Sequence, residues 1–171
     1  FYVSFDGEHY YKEIEEITVR DFYQQMVDHP DVFPKTSMPS VQDFYEVFEK
    51  SVKENIPVIC ICITAKFSGS LQSATTAKDM ILEEYPEAKV IVVDTLCACM
   101  GEAMLLYYAL KQKEAGKTIE EVAQWVEENK LHVCHNVTVD DLFHLHRGGR
   151  VSKTAAVLGT MVKVKPIIHM D

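Results

Sequence analysis

Hydroxyl side chains gather in three short stretches whose spacing suits anion binding: Lys35-Thr-Ser-Met-Pro-Ser40, Thr64-Ala-Lys-Phe-Ser-Gly-Ser70 and Asp94-Thr-Leu-Cys-Ala-Cys-Met-Gly101. Each runs into a segment of helical pattern, and a helix start presents unpaired amides with partial positive charge. Thr36, Ser37, Ser68 and Ser70 would add donors there, with Gly69 allowing close backbone approach. Ser and Thr are also the usual helix-capping residues, so capping is the competing reading. A phosphate cradle would carry more glycine, and Gly116-Lys-Thr118 is no P-loop, because Lys111 stands where glycine is needed and the segment lies between helices. Apolar neighbours in sequence (Met38, Phe67, Leu96, Met100) favour a carboxylate joined to a greasy body over a bare phosphate.

Other residues invite chemistry less strongly. Cys60 and Cys62 share one strand face, and Cys97 and Cys99 form a second pair in a loop; Cys-x-Cys lacks structural zinc spacing, so packing is the expected role. A thiol at a helix start has a lowered pKa, which makes a thiol- or serine-dependent hydrolase, using the helix-start pocket as an oxyanion hole, the alternative function. His132 and His135 would point to opposite faces if 131–139 is a strand, which disfavours joint coordination. No metal site and no cofactor are expected. Arg147, Arg150, Lys153, Lys163 and Lys165 form a basic cluster in an otherwise acidic chain, either a solvated face or a docking surface for an acidic partner.

The elements that must position these residues alternate. Thr18 with Asp21 reads as a capping box opening a helix through about Asp28, and His29-Pro30 stops it. Ser40 with Asp43 starts another, ending near Asn55, with Phe44, Val47 and Phe48 as its apolar stripe. Pro57 to Thr64 and Lys89 to Asp94 are short, β-branched apolar runs, the pattern of parallel strands covered on both faces. Helices are expected at Ser70 to Glu84, at Met100 to Ala115 before Gly116, and after the Thr118/Glu121 cap. Leu131 to Val139 reads as a strand, two short helical pieces flank Arg147-Gly-Gly-Arg150, and Val162 to Met170 reads as a final strand. The expected fold is α/β, a parallel sheet flanked by helices over residues 1–130, with the start of a second, smaller α+β domain over 131–171.

Composition narrows the function. With 171 residues, 47% hydrophobic and 25% charged, the chain is globular in class. A net charge of -9 opposes nucleic-acid binding. The longest apolar stretch, Pro57 to Thr64, is too short for a membrane span, and no signal peptide opens the sequence. Five cysteines in apolar contexts suit a reducing compartment, so a cytoplasmic location is expected. The opening Phe1 and the strand-like Lys165 to Asp171 suggest a sequence cut at both ends.

Five motifs in register then point to a family. Thr36-Ser-Met-Pro-Ser40, Phe67-Ser-Gly-Ser-Leu-Gln-Ser-Ala74, Val93-Asp-Thr95 with Met100-Gly101, Arg147-Gly-Gly-Arg150 and Lys165-Pro-Ile-Ile168 resemble the DegV-type fatty-acid-binding proteins, over essentially the whole chain. The resemblance implies two domains with a long-chain fatty acid between them and no catalytic residues. Thr36 and Ser68 would bond the carboxylate, Ser37, Gly69 and Ser70 would shape its pocket, and Thr95 would keep a hydroxyl where many relatives have Ser. It also implies a fatty acid kinase as partner where the organism has one, converting the bound acid to an acyl phosphate, with Arg147 and Arg150 as docking cations. The family's opening strand and a carboxylate-side histidine would lie outside this sequence. Burying ~14 methylenes at ~0.8 kcal/mol each yields on the order of 11 kcal/mol gross. The tail would thus set affinity, and the directional hydroxyls would set orientation.

Overall fold

The computed structural model describes residues 1–154 and 165–169. The chain forms two compact units, Phe1–Ser40 and Val41–Asp171. This boundary is additional to the one expected near residue 130, and residues 131–171 group with the second unit.

In the first unit, strands β1 (Tyr2–Ser4), β2 (Tyr11–Lys12) and β3 (Lys35–Ser37) form an antiparallel sheet in the order β2-β1-β3, with helix α1 (Val19–Asp28) between β2 and β3 in sequence. Tyr2 pairs with Ser37 and Val3 with Thr36. The stretch expected to be a loop at Thr36 and Ser37 is therefore an edge strand; its backbone groups find partners in β1, distant in sequence. Helix α1 starts at Thr18 as expected. The Thr18 hydroxyl accepts from the Asp21 amide at 3.1 Å and donates to the Asp21 carboxylate at 2.7 Å. That carboxylate is thus bonded to the cap hydroxyl. The His29 amide, just before Pro30, donates to Gln25 and closes the helix.

The second unit opens with α2 (Val41–Lys53), β4 (Val58–Cys62), α3 (Ser70–Glu84), β5 (Val90–Asp94), α4 (Cys99–Glu114) and α5 (Ile119–Asn129). Strands β4 and β5 are parallel and in register from Val58 opposite Val90 to Cys62 opposite Asp94. The pleat sends alternate side chains to two cores. Val58, Cys60, Cys62, Val90 and Val92 join Phe48, Val52, Ala74, Ala77 and Ile81 from α2 and α3. Ile59, Ile61, Ile91 and Val93 join Leu105, Ala109, Val122, Trp125 and Val126 from α4 and α5. Both sheet faces are covered, which is why both strands read as nearly continuous apolar runs. Fully burying a side chain such as Phe48 or Ile81 is worth roughly 1.5–3 kcal/mol. Thr118 and Glu121 form the reciprocal capping box, with amide-to-side-chain distances of 2.8 and 3.3 Å.

Beyond α5 the expected strand from Leu131 to Val139 is largely corrected. Lys130–His132 is a 3-10 turn and only Asn136–Thr138 is strand (β6), paired antiparallel with β7 (Ile167–His169). Of the alternating apolar residues there, Val133 packs against the second core while Leu131 stays exposed, rather than both extending a sheet. Helix α6 (Leu142–Arg147) precedes the Gly-Gly pair. The second helical piece expected after Arg150 falls mainly on residues 155–164, and residues 162–164 and 170 of the expected final strand, Lys163 included, also lie outside the described residues; of that strand, Ile167–His169 forms β7. Among the described residues no helix is long and apolar enough to cross a membrane.

Candidate functional site

The turns that follow β4 and β5 are knitted together by backbone and side-chain bonds. Thr95, 0% exposed, donates its hydroxyl to the Cys62 carbonyl at 2.7 Å and accepts from the Cys97 amide at 3.2 Å. The Thr64 amide donates to the Cys97 carbonyl at 2.8 Å. The Asp94 carboxylate accepts from the Leu96 amide at 2.9 Å and the Ala65 amide at 3.4 Å. Thr95 thus faces inward, bracing the two turns, rather than presenting its hydroxyl to a ligand. The β5 turn is also strained: Leu96 and Cys99 take positive φ angles of 54° and 47°, a region side chains of this size rarely adopt.

On this frame Ser68, Gly69 and Ser70 stand at the start of α3. The two serine hydroxyls lie 2.8 Å apart, and Ser68 Oγ accepts from the Ser70 amide at 3.2 Å. The Phe67 and Ser68 amides both donate back to the Thr64 carbonyl. Ser68 thus holds a helix-start amide while both serine hydroxyls remain half-exposed. Gly69 is exposed, with φ -73°, and caps α3 through its backbone without a side-chain bond.

Thr36 and Ser37 belong to the first unit, both exposed on β3. Thr36 lines a pocket of about 230 Å³ whose walls include Val3, Ile17, Val19, Phe22 and Tyr23. Ser37 is next along the strand, on the opposite side of the pleat; its hydroxyl lies 3.4 Å from the Met38 carbonyl.

Cys60, Cys62 and Cys97 are less suited to chemistry, whereas Cys99 and Cys134 are exposed. Cys60 and Cys62 lie 3.6 Å apart within the α2/α3 core. The hydrogen bond between them pulls Cys60 down and pushes Cys62 up, burial adding to the latter. Cys97, 1% exposed, is pushed up by burial first and then by the Glu102 and Asp94 charges, which keeps it a protonated thiol rather than an activated nucleophile. Ser68 has Ser70 as its hydroxyl partner, which is no base. Among the described residues no group of three His, Cys, Asp or Glu is placed to hold a metal ion. His132, on the 3-10 turn, pairs with Asn129, whereas His135 is buried and accepts the Ala98 amide at Nδ1, 3.3 Å away.

Three contacts escaped the sequence reading. His135 presses on Gly101 so closely that a Cβ there would lie 2.8 Å from Nδ1 and 3.1 Å from Cys97 Sγ. Lys130 reaches the Asp94 carbonyl at 3.1 Å. Arg150 donates to the Phe67 carbonyl at 3.2 Å. Each is a contact between distant chain segments, with no local sequence signal. Arg147, by contrast, lies 4.0 Å from the Asp141 carboxylate.

Parallel strands, covered faces and hydroxyl-bearing turns beyond the strand ends place the second unit among open α/β folds, which take ligands at that edge. The profile of a family described as "Uncharacterised protein, DegV family" matches residues 1–171, and the chain belongs to the DegV family. A DegV domain-containing protein of Clostridium perfringens is 39% identical over 169 residues, covering 98% of this chain and 57% of that protein. The structure is similar to that of a stearic-acid-binding protein from Eubacterium ventriosum, with a TM-score of 0.85 and 38% identity over 99% of this chain and 58% of that one. It is also similar to DegV, a fatty acid binding protein from Bacillus subtilis, with a TM-score of 0.80 and 31% identity over 99% and 58% of the two chains. The chain thus spans a little over half the length of these relatives.

Proposed function

We propose that this protein is a cytoplasmic, non-catalytic carrier of a long-chain fatty acid. The hydroxyls of Thr36 and Ser68 hold the carboxylate, Ser37, Gly69 and Ser70 shape its surroundings, and Thr95 contributes by bracing the turn. The domain carrying these residues runs through residue 130, and residues 131–171 begin a second, smaller α+β domain. The observation that carries the reading is the pair of half-exposed serine hydroxyls at the start of α3, in a family whose relatives from Eubacterium ventriosum and Bacillus subtilis are described as fatty-acid-binding. The largely apolar pocket beside Thr36, with Glu13 and Thr18 as its other polar lining residues, supports it. At ~30 Å³ per water-sized group, its 230 Å³ takes about eight such groups, roughly half of a long acyl tail. Five free cysteines support the reducing location.

Denaturing the natively purified protein and examining the extract by mass spectrometry should release a long-chain fatty acid; an extract without any acyl species would remove the reading. Where a fatty acid kinase is present, Arg147 and Arg150 are the docking cations for it. Arg147→Glu should slow acyl-phosphate formation while fatty-acid affinity stays the same, and equal loss of both would assign Arg147 a structural role instead.

A further inference from the structure

Helix α6 ends in a turn closed by two backbone bonds and by His146 Nδ1, 3.1 Å from the Val151 carbonyl. The Gly149 amide donates to the His146 carbonyl at 2.9 Å and the Arg150 amide to the Leu145 carbonyl at 2.9 Å, the paired bonds of a Schellman motif. Gly149 takes φ +77°, which a side chain would strain. The Arg150 guanidinium donates from one nitrogen to the Gly148 carbonyl and from another to the Phe67 carbonyl, 83 residues away in sequence, at 3.2 Å. Phe67 is the residue before Ser68, and its amide is already anchored to Thr64.

We propose that Arg150 is a positioning residue, a latch that fixes the Phe67–Ser70 turn and so sets the direction of the Ser68 hydroxyl. The planar fork of the guanidinium explains the choice of arginine: it serves two carbonyls on separate segments at once, which a lysine ammonium at the end of a floppy stem does poorly. A carboxylate binds a guanidinium more strongly than a neutral carbonyl does. An acidic partner that captures Arg150 would therefore release the turn, linking docking at Arg147-Gly-Gly-Arg150 to loosening of the head-group site. The ligand-related part of this rests on the proposed function above; the latch itself does not.

The test is amide hydrogen exchange on the native protein without added ligand, comparing Arg150→Ala, Arg150→Lys and, as a control for loss of one remote exposed charge, Lys113→Ala. Exchange at the Phe67, Ser68 and Ser70 amides should quicken about fivefold or more in Arg150→Ala and by less in Arg150→Lys, with Lys113→Ala unchanged. Unchanged exchange at those amides in Arg150→Ala would overturn the latch. So would a rise spread evenly over β4 and α3, which would mean general destabilisation. Stearate affinity measured on the same variants separates the two readings. Faster local exchange with unaltered affinity upholds the latch and removes Ser68 from the carboxylate site, whereas weaker binding with unaltered exchange overturns the latch and leaves the site standing.

Discussion

The two hydroxyls proposed to bind the carboxylate are held in opposite ways. Ser68 sits on a turn braced from below by Thr95, Asp94 and the Thr64–Cys97 backbone bond, and tied from the side by Arg150. Thr36 sits exposed on a three-residue edge strand in a unit whose buried core side chains are few, Val3 and Ile17 among them. The difference teaches that orientation can be set by two strategies: a turn locked by many directional bonds, and a side chain standing at the mouth of an apolar pocket. A locked turn transmits damage, and an edge position does not.

The sharpest way to break this contrast is Thr95→Val, which keeps the shape but leaves the Cys62 carbonyl without that donor and the Cys97 amide without its side-chain acceptor. A loss of about 2–3 kcal/mol in urea unfolding is expected. A loss as small as that of Thr36→Val, expected within ~0.5 kcal/mol, would show that the turns are not braced as described. Next in size is Gly101→Ala, whose methyl group would press on His135 and Cys97; ~1–3 kcal/mol is expected. Adding His135→Ala should return part of that loss if the contact is its cause.

Ser68→Ala and Thr36→Ala sharpen the contrast more finely. Ser68→Ala removes the acceptor of the Ser70 amide and should lower stability by about 0.5–1 kcal/mol as well as weakening fatty-acid binding. Thr36→Ala should weaken binding about tenfold with stability nearly unchanged. If binding in both matches the unsubstituted protein, neither hydroxyl touches the carboxylate. The smallest effect is a pH dependence in the first unit. Hydrogen bonds from the His9 side chain and from the His9 and Glu8 amides, with a lesser one from the Ser4 hydroxyl, hold the Asp6 carboxyl well below the ordinary carboxylate range. A depressed folded-state value stabilises the fold fully above the unfolded value of ~3.9 and is lost as pH falls through the folded value. Amide resonances of Gly7 to His9 should therefore persist at pH ~3.9, where a free carboxylate is half-protonated, and collapse only in stronger acid; Asp6→Asn should abolish that dependence.

Much of the second unit was legible in its sequence. Pro57 to Thr64 and Lys89 to Asp94 had to be doubly covered strands because each lacks a polar face, and the helix expected from Ser70 to Glu84 has those limits in the structure. The Thr118/Glu121 box announced α5 because capping chemistry is local. What escaped was non-local. Lys35 to Ser37 looks like a loop because its strand identity comes from β1, and Leu131 to Val139 alternates without having a long partner strand to use the alternation. Composition could place a hydroxyl on the β5 turn at Thr95 but not decide whether it pointed inward. The Gly-Gly pair revealed a reversal of the chain, yet nothing near it in sequence names Phe67 as what Arg150 grasps.

The pleat of β4 and β5 also partitions how this protein can change over generations. Because Cys60 and Cys62 face one set of helices while Ile59 and Ile61 face the other, a size change on one side needs compensation only on that side. Lineages can drift in one half of the interior while the opposite half stays still, and the strand between them insulates the two histories.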